Sequence, residues 1–202
     1  IANKISFLIK KTKAVIPEPV YPSLIPTENQ QLAIKGSLEN GISLIHGGPG
    51  TGKTAIMSEL VRAISMMGKK SLCLAFTGAA TTRIRETTIE NGVFDLTNIM
   101  TINMAITLVT KIIDMKIDYI IIDEISMVNS GLMSHFISAF RSLNYQMILI
   151  GDSNQLEPID WGNFMIQLLK TPINKFHLTE NFITHGTHQR IFANTALQCQ
   201  GY

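Results

Sequence analysis

Ile42-Ser43-Leu44-Ile45-His46 running into Gly47-Gly48-Pro49-Gly50-Thr51-Gly52-Lys53-Thr54 is the stretch on which the fold turns. A short apolar run feeds a glycine-rich turn. The turn opens a segment in which Ile56, Met57, Leu60, Val61, Ile64 and Met67 recur on one helical face, with Gly68 as the stop. It satisfies G-x-x-x-x-G-K-[ST], with a strand before it and a helix from Lys53 to Met67 behind it. Glycines let consecutive main-chain N–H groups turn inward around a triphosphate, and the helix N-terminus adds partial positive charge. The expectation is a nucleotide site formed by Gly48, Pro49, Gly50, Thr51 and Gly52, with Lys53 on the β and γ phosphates and the Thr54 hydroxyl on Mg²⁺. A turn that merely joined strand to helix would not require a lysine beside a hydroxyl residue at this offset.

Working outward, the spacing predicts a helix from Glu28 to about Glu39. Strands are expected at Ser71–Phe76, Asp118–Ile122, Gln146–Ile150 and Lys175–Leu178, and a helix at Gly131–Leu143 with Leu132, Met133, Phe136, Ile137 and Phe140 on one face. Short buried strands alternating with helices indicate a mostly parallel sheet covered on both sides, a three-layer α/β fold. Residues 17–26 hold four prolines in ten positions, which reads as a connector. The expected division is therefore 1–27 as an N-terminal segment, 28–182 as the nucleotide-binding domain, and 183–202 as a C-terminal helix or the start of a connection onward.

The chain has 202 residues, 46% of them hydrophobic, enough for one sizeable core, and no apolar run approaches the roughly 20 residues of a membrane span. Residues 1–85 carry 11 Lys and Arg against 4 Asp and Glu, whereas residues 86–202 carry 6 against 11. That asymmetry permits a polyanion on one side, or equally an unevenly charged solvated surface. Cys73 and Cys199 lie 126 positions apart with no His or Cys at metal-ligand spacing, so neither a zinc site nor a disulfide framework is expected. The opening lacks a cleavage signature and does not start with Met, which suggests an unsecreted chain that is a fragment or a processed product.

Tyr119-Ile120-Ile121-Ile122-Asp123-Glu124 places two carboxylates at the C-terminal end of a buried strand, where ligands of a parallel sheet gather. Asp123 is expected to hold Mg²⁺ through its water shell and Glu124 to act as general base on the attacking water. The alternative is an acidic strand end facing solvent. Gly151-Asp152-Ser153-Asn154-Gln155 follows the next strand, and Gln155 is positioned to bond both a γ-phosphate and a water. Asp, Ser and Asn there are also ordinary turn formers.

GGPGTGKT at 47–54, FTGAATTRIRE at 76–86, IIDEISMV at 121–128 and GDSNQLEPIDWGNF at 151–164, with ENQQLAI at 28–34 and TIN at 101–103, resemble the superfamily 1 DNA helicases, most closely the RecD-like group. The resemblance spans about residues 28–182 and implies the first RecA-like motor domain of an ATP-dependent helicase in an intracellular, DNA-containing compartment such as the cytoplasm. It implies that Gln30 reads the adenine edge, that Thr77, Gly78 and Ala79 touch the backbone of single-stranded DNA, that Ser126 and Met127 link the carboxylates to the DNA track, and that Asp152 and Gln155 couple γ-phosphate loss to movement. Movement 5′ to 3′ is also implied.

Three departures stand out. Asn103 replaces a family histidine, Trp161 falls in a loop that is usually proline- and glycine-rich, and Ile183 stands where an arginine usually follows the aromatic residue, with Arg190 seven positions on. Arginine fingers contribute roughly 10³–10⁵ in rate. A superfamily 1 motor also needs a second RecA-like domain, and no second strand-helix series follows Phe182. A nucleotide-dependent module that grips nucleic acid or protein with little turnover is thus the competing reading, and a P-loop ATPase outside the helicases is a third. His46 reads as a packed or solvated strand-end residue, Phe76 and Trp161 as core or base-stacking aromatics, and Arg83 and Arg85 as phosphate contacts or surface ion pairs.

Overall fold

The computed structural model of the protein describes residues 2–9, 26–90, 98–152 and 162–179. The six strands are β1 (Ile42–Gly47), β2 (Ser71–Ala75), β3 (Ile99–Thr101), β4 (Tyr119–Ile122), β5 (Gln146–Gly151) and β6 (Asn174–Leu178). They form one sheet in the order β3-β2-β4-β5-β1-β6, with every pairing parallel. Eight helices accompany them among the described residues: α1 (Ala2–Ile9), α2 (Glu28–Glu39), α3 (Lys53–Met66), α4 (Gly78–Glu90), α5 (Ile102–Thr107), α6 (Val109–Asp114), α7 (Ser130–Ala139) and α8 (Phe164–Leu169).

Strand alternation divides the core in two. Leu44, Ile120, Ile122, Met147 and Leu149 point to one face, under α1, α5, α6, α7 and α8, while Ile45, Ile121, Ile148 and Ile150 point to the other, under α2, α3 and α4. Each central strand buries both faces, which is why β4 and β5 read as unbroken apolar runs. The expected three-layer fold is the observed one. The expected elements from 28 to 178 are present with small boundary shifts, and the segment expected at 183–202 lies outside the described residues; α7 ends at Ala139, short of Leu143, because the chain turns at Phe140.

Elements without a sequence expectation also appear. Ala2–Ile9, within the expected N-terminal segment 1–27, is a helix that places Ile5 and Leu8 in the core, and Lys4 Nζ donates to the Leu143 carbonyl at 2.8 Å. The C-terminus of α2 is closed by the strands beneath it: Leu38 O accepts from Tyr119 Oη at 3.2 Å and from Gln146 Nε2 at 3.1 Å. Burial pushes the Tyr119 phenol up to about 12, so it stays a donor.

The topology positions the site. The chain leaves β1, crosses past two strand positions to β2, and returns to insert β4 and β5 between them. The C-terminal ends of β1, β5 and β4 therefore lie side by side at the reversal of strand order, where open parallel sheets bind ligands.

Candidate functional site

The turn after β1 is held by its own residues. Gly50 (φ 78°) and Gly52 (φ 81°) adopt the left-handed conformation that side-chain-bearing residues rarely take. Thr51, almost fully buried, donates its hydroxyl to Gly48 O at 2.9 Å. A Cβ on Gly47 would lie 2.7 Å from Leu178 O and 2.9 Å from Thr51 Oγ1, so β6 and the loop close on a residue that must be glycine. Lys53 Nζ, at the start of α3, donates to Gly47 O at 2.8 Å and Gly48 O at 2.6 Å and stands 3.7 Å from Asp152 Oδ2. Burial lowers the Lys53 ammonium below the usual lysine range, and the Asp152 and Asp123 charges oppose that shift.

The carboxylate pair faces this loop. Asp123, at the end of β4, is almost fully buried; its Oδ1 accepts from the Glu124 N–H at 2.8 Å. Glu124 has φ 55° and ψ 38°, a left-handed backbone that costs a non-glycine residue about 1–3 kcal/mol. That turn redirects two neighbouring side chains that a continuing strand would send to opposite faces, and both line the cleft. Arg83 of α4 meets them, with Nη2 3.0 Å from Glu124 Oε1 and 3.6 Å from Asp123 Oδ2. Burial raises the Asp123 carboxyl above its ordinary range, against the Glu124 N–H and the charges of Arg83 and Lys53. Burial, then the Asp123 charge, raises Glu124, and Arg83 opposes.

These groups enclose one cleft of about 360 Å³, lined among others by Lys53, Thr54, Arg83, Asp123, Glu124 and Asp152. The donor set fits magnesium. Asp123 Oδ2 and Glu124 Oε2 are buried without a hydrogen-bond partner among the described residues, and Thr54 shares their cleft. Among the described residues no three His, Cys, Asp or Glu cluster to cage a metal. A cation taking few protein oxygens and completing its shell with phosphate and water matches magnesium's habit.

Of the remaining expected residues, Gln30 is buried, but its amide is engaged away from the cleft. Oε1 accepts from Thr27 N at 3.1 Å in the cap of α2, and Nε2 donates to Thr51 O at 3.2 Å. Thr77, Gly78 and Ala79 open α4; Thr77 Oγ1 accepts from Ala80 N at 3.1 Å, and Gly78 and Ala79 are exposed. The paired strands β2 and β3 bring exposed Asn103 to the same sheet edge, through the register Ala75↔Thr101. Ser126 is buried and Met127 half-buried in a single 3₁₀ turn after Glu124. Gln155, Trp161, Ile183 and Arg190 lie outside the described residues. His46 stacks on His177 with ring centroids 4.6 Å apart, and burial, then His177 and Lys175, keeps it below the ordinary histidine value. Sequence reasoning does not assign Arg83 to the carboxylates; the available signal is its place on the helix after β2, whose strand lies beside β4.

Comparison with known proteins places the chain in a family and a fold. A family model described as an AAA domain (AAA_19) matches residues 30–160, more than half of the chain. The RecBCD enzyme subunit RecD of Buchnera aphidicola from Acyrthosiphon pisum is 34% identical over 171 residues, covering 72% of this chain and 28% of that protein. The RecD subunit of Mycolicibacterium smegmatis is 27% identical over 168 residues, covering 71% of this chain and 30% of its own length. The chain thus spans under a third of these relatives. Among solved structures, the Pif1 helicase from Candida albicans superposes with a TM-score of 0.57 at 22% identity over 79% of this chain and 41% of that one. The UvsW helicase from bacteriophage T4 gives 0.58 at 15% identity, over 87% and 67%. These two likenesses bear on the fold, which they share.

Proposed function

The chain belongs to the AAA-domain family, and from that premise we propose that it is the ATP-binding motor domain of a RecD-like DNA helicase. The observation that carries the reading is the convergence, in one cleft, of Lys53 and Thr54 from the turn after β1 with Asp123 and Glu124 from the end of β4. The DNA in this reading comes from the resemblance of the motifs to the RecD-like helicases; the site supplies the chemistry.

In this reading the turn from Gly48 to Gly52 presents main-chain N–H groups to the β and γ phosphates of ATP, and Lys53 exchanges its bonds to the Gly47 and Gly48 carbonyls for phosphate oxygens. Thr54 and Asp123 would hold Mg²⁺, which when bound neutralises charge on the phosphates. Glu124 accepts a proton from the attacking water at a carboxylate oxygen, a task that its raised pKa suits. Gln155 would sense the γ-phosphate. Single-stranded DNA would lie along the edge that bears Thr77, Gly78, Ala79 and Asn103. A second RecA-like domain would close the cleft against water, and the RecD relatives are long enough to contain one. An intracellular setting follows from such a substrate, and among the described residues no helix is long and apolar enough to cross a membrane.

Calorimetric titration with MgADP, alongside steady-state ATP hydrolysis with and without single-stranded DNA, tests the proposal. The expected result is binding heat in the natural chain and none in Lys53→Ala. Binding without any DNA-stimulated turnover would favour the gripping module over the motor, and absence of heat in the natural chain would end both readings.

A further inference from the structure

Arg83 is an unassigned member of the site. It stands on α4, roughly one and a half turns after the exposed Gly78, and reaches into the cleft, with Nη2 3.0 Å from Glu124 Oε1 and 3.6 Å from Asp123 Oδ2. An ordinary surface ion pair contributes little. This one is directed at two acids that the proposed reaction requires, and Glu124, on the left-handed turn two residues beyond β4, accepts its hydrogen bond at Oε1. We propose that Arg83 is a positioning residue for Glu124 and a built-in counter-charge that competes with the divalent cation for the Asp123/Glu124 pair. This rests on the nucleotide-binding reading given above.

Two electrostatic effects carry this role. Adjacent carboxylates in a half-closed cleft repel, and a guanidinium between them offsets that repulsion while fixing Glu124 through a charge-assisted hydrogen bond. A divalent cation arriving at Asp123 then meets a positive charge already beside Asp123 Oδ2. The arginine side chain is 53% exposed, so solvent screens the conflict and the guanidinium is free to withdraw along α4. Charge and geometry separate in variants: lysine keeps the charge but loses the planar fork, and glutamine keeps polar contact but loses the charge.

The test titrates Mg²⁺ against a fixed concentration of a fluorescent ADP analogue, using the 202-residue chain, Arg83→Lys, Arg83→Gln and, as controls, Arg85→Gln and Lys53→Ala. Arg85 serves as the neighbouring-charge control because its Nη2 donates to Ile99 O, outside the cleft. Arg83→Gln should need roughly three- to tenfold less Mg²⁺ for half-saturation, a direction that loss of structure would not produce. Arg83→Lys and Arg85→Gln should stay within about twofold of the natural chain. ATP turnover should fall by roughly tenfold or more in both Arg83 variants, with KM nearly unchanged. Arg83→Met, neutral and similarly long, repeats the measurement if the glutamine variant does not melt cooperatively. An unchanged Mg²⁺ requirement overturns the inference, as does a tenfold loss of analogue affinity, which would make Arg83 a phosphate ligand. A natural chain that fails to bind the analogue removes the nucleotide reading itself, and this inference with it.

Discussion

Gln30 ties the first turn of α2 to the phosphate-binding turn: its Nε2 donates to the Thr51 carbonyl at 3.2 Å, while its Oε1 accepts from Thr27 N at 3.1 Å. The expected adenine reader is thus also a brace on the phosphate turn. Gln30→Ala should weaken ADP, GDP and inorganic pyrophosphate by similar factors and lower stability by about 1 kcal/mol through loss of the cap. Calorimetry with the three ligands decides the matter, since a loss confined to ADP would leave base reading as the role and reject the brace.

Two glycines at the site should respond oppositely. Gly47→Ala drives a methyl group against Leu178 O and Thr51 Oγ1 and should cost about 1–3 kcal/mol. Gly78→Ala meets nothing within 4 Å on a helical backbone and should be neutral or stabilising by up to about 1 kcal/mol. Urea denaturation measures both. Because Gly78→Ala leaves the fold intact, any loss of single-stranded DNA affinity in that variant reports a lost contact.

Glu59 gives a pH-dependent stability. It is almost fully buried on α3, and burial raises its carboxyl, with Arg62 opposing from 3.5 Å. The unfolded chain then releases this proton at lower pH than the folded one. Stability declines as pH rises from the unfolded value, about 4.3, to the folded value, and the whole loss persists above it. Glu59→Gln should remove that decline. The difference in denaturation midpoint between variant and natural chain should therefore grow from acid to neutral pH, and a constant difference would show that Glu59 is not the group responsible.

Leu8 tests whether the N-terminal helix belongs to the domain. It is fully buried, so Leu8→Ala should cost about 2–5 kcal/mol, whereas Phe7→Ser, at a side chain 53% exposed, should stay within about 0.5 kcal/mol. Equal melting temperatures for Leu8→Ala and the natural chain would show that α1 does not pack there in solution.

Legibility follows the strength of local patterns. β1, β4 and β5 bury both faces and stand out as apolar runs, and α3 carries a continuous apolar stripe. Helix α4 is not legible as a helix, because its buried face consists only of Ala80, Ile84 and Thr88, too small and polar to produce a clear stripe. Strand β3 is three residues long, below the length at which alternation can be recognised. At the site, Lys53, Thr54, Asp123 and Glu124 are legible because each belongs to a contiguous motif. Arg83 is not, since its partner Glu124 is 41 residues away. The His46–His177 stack likewise exists only through the register of β1 and β6.

By itself the order of residues determined the layered α/β fold, the phosphate-binding turn and the acidic strand end, because backbone conformation and burial along a short segment obey local periodicity and glycine's torsional freedom. Only the tertiary structure decided what those segments do to one another: Gln30 bracing Thr51, Arg83 clasping Asp123 and Glu124, and α1 sealing the core with Leu8. Such relationships arise when strand order brings distant stretches of chain within a few ångströms. Electrostatic and steric forces act over that distance, whatever the separation along the chain.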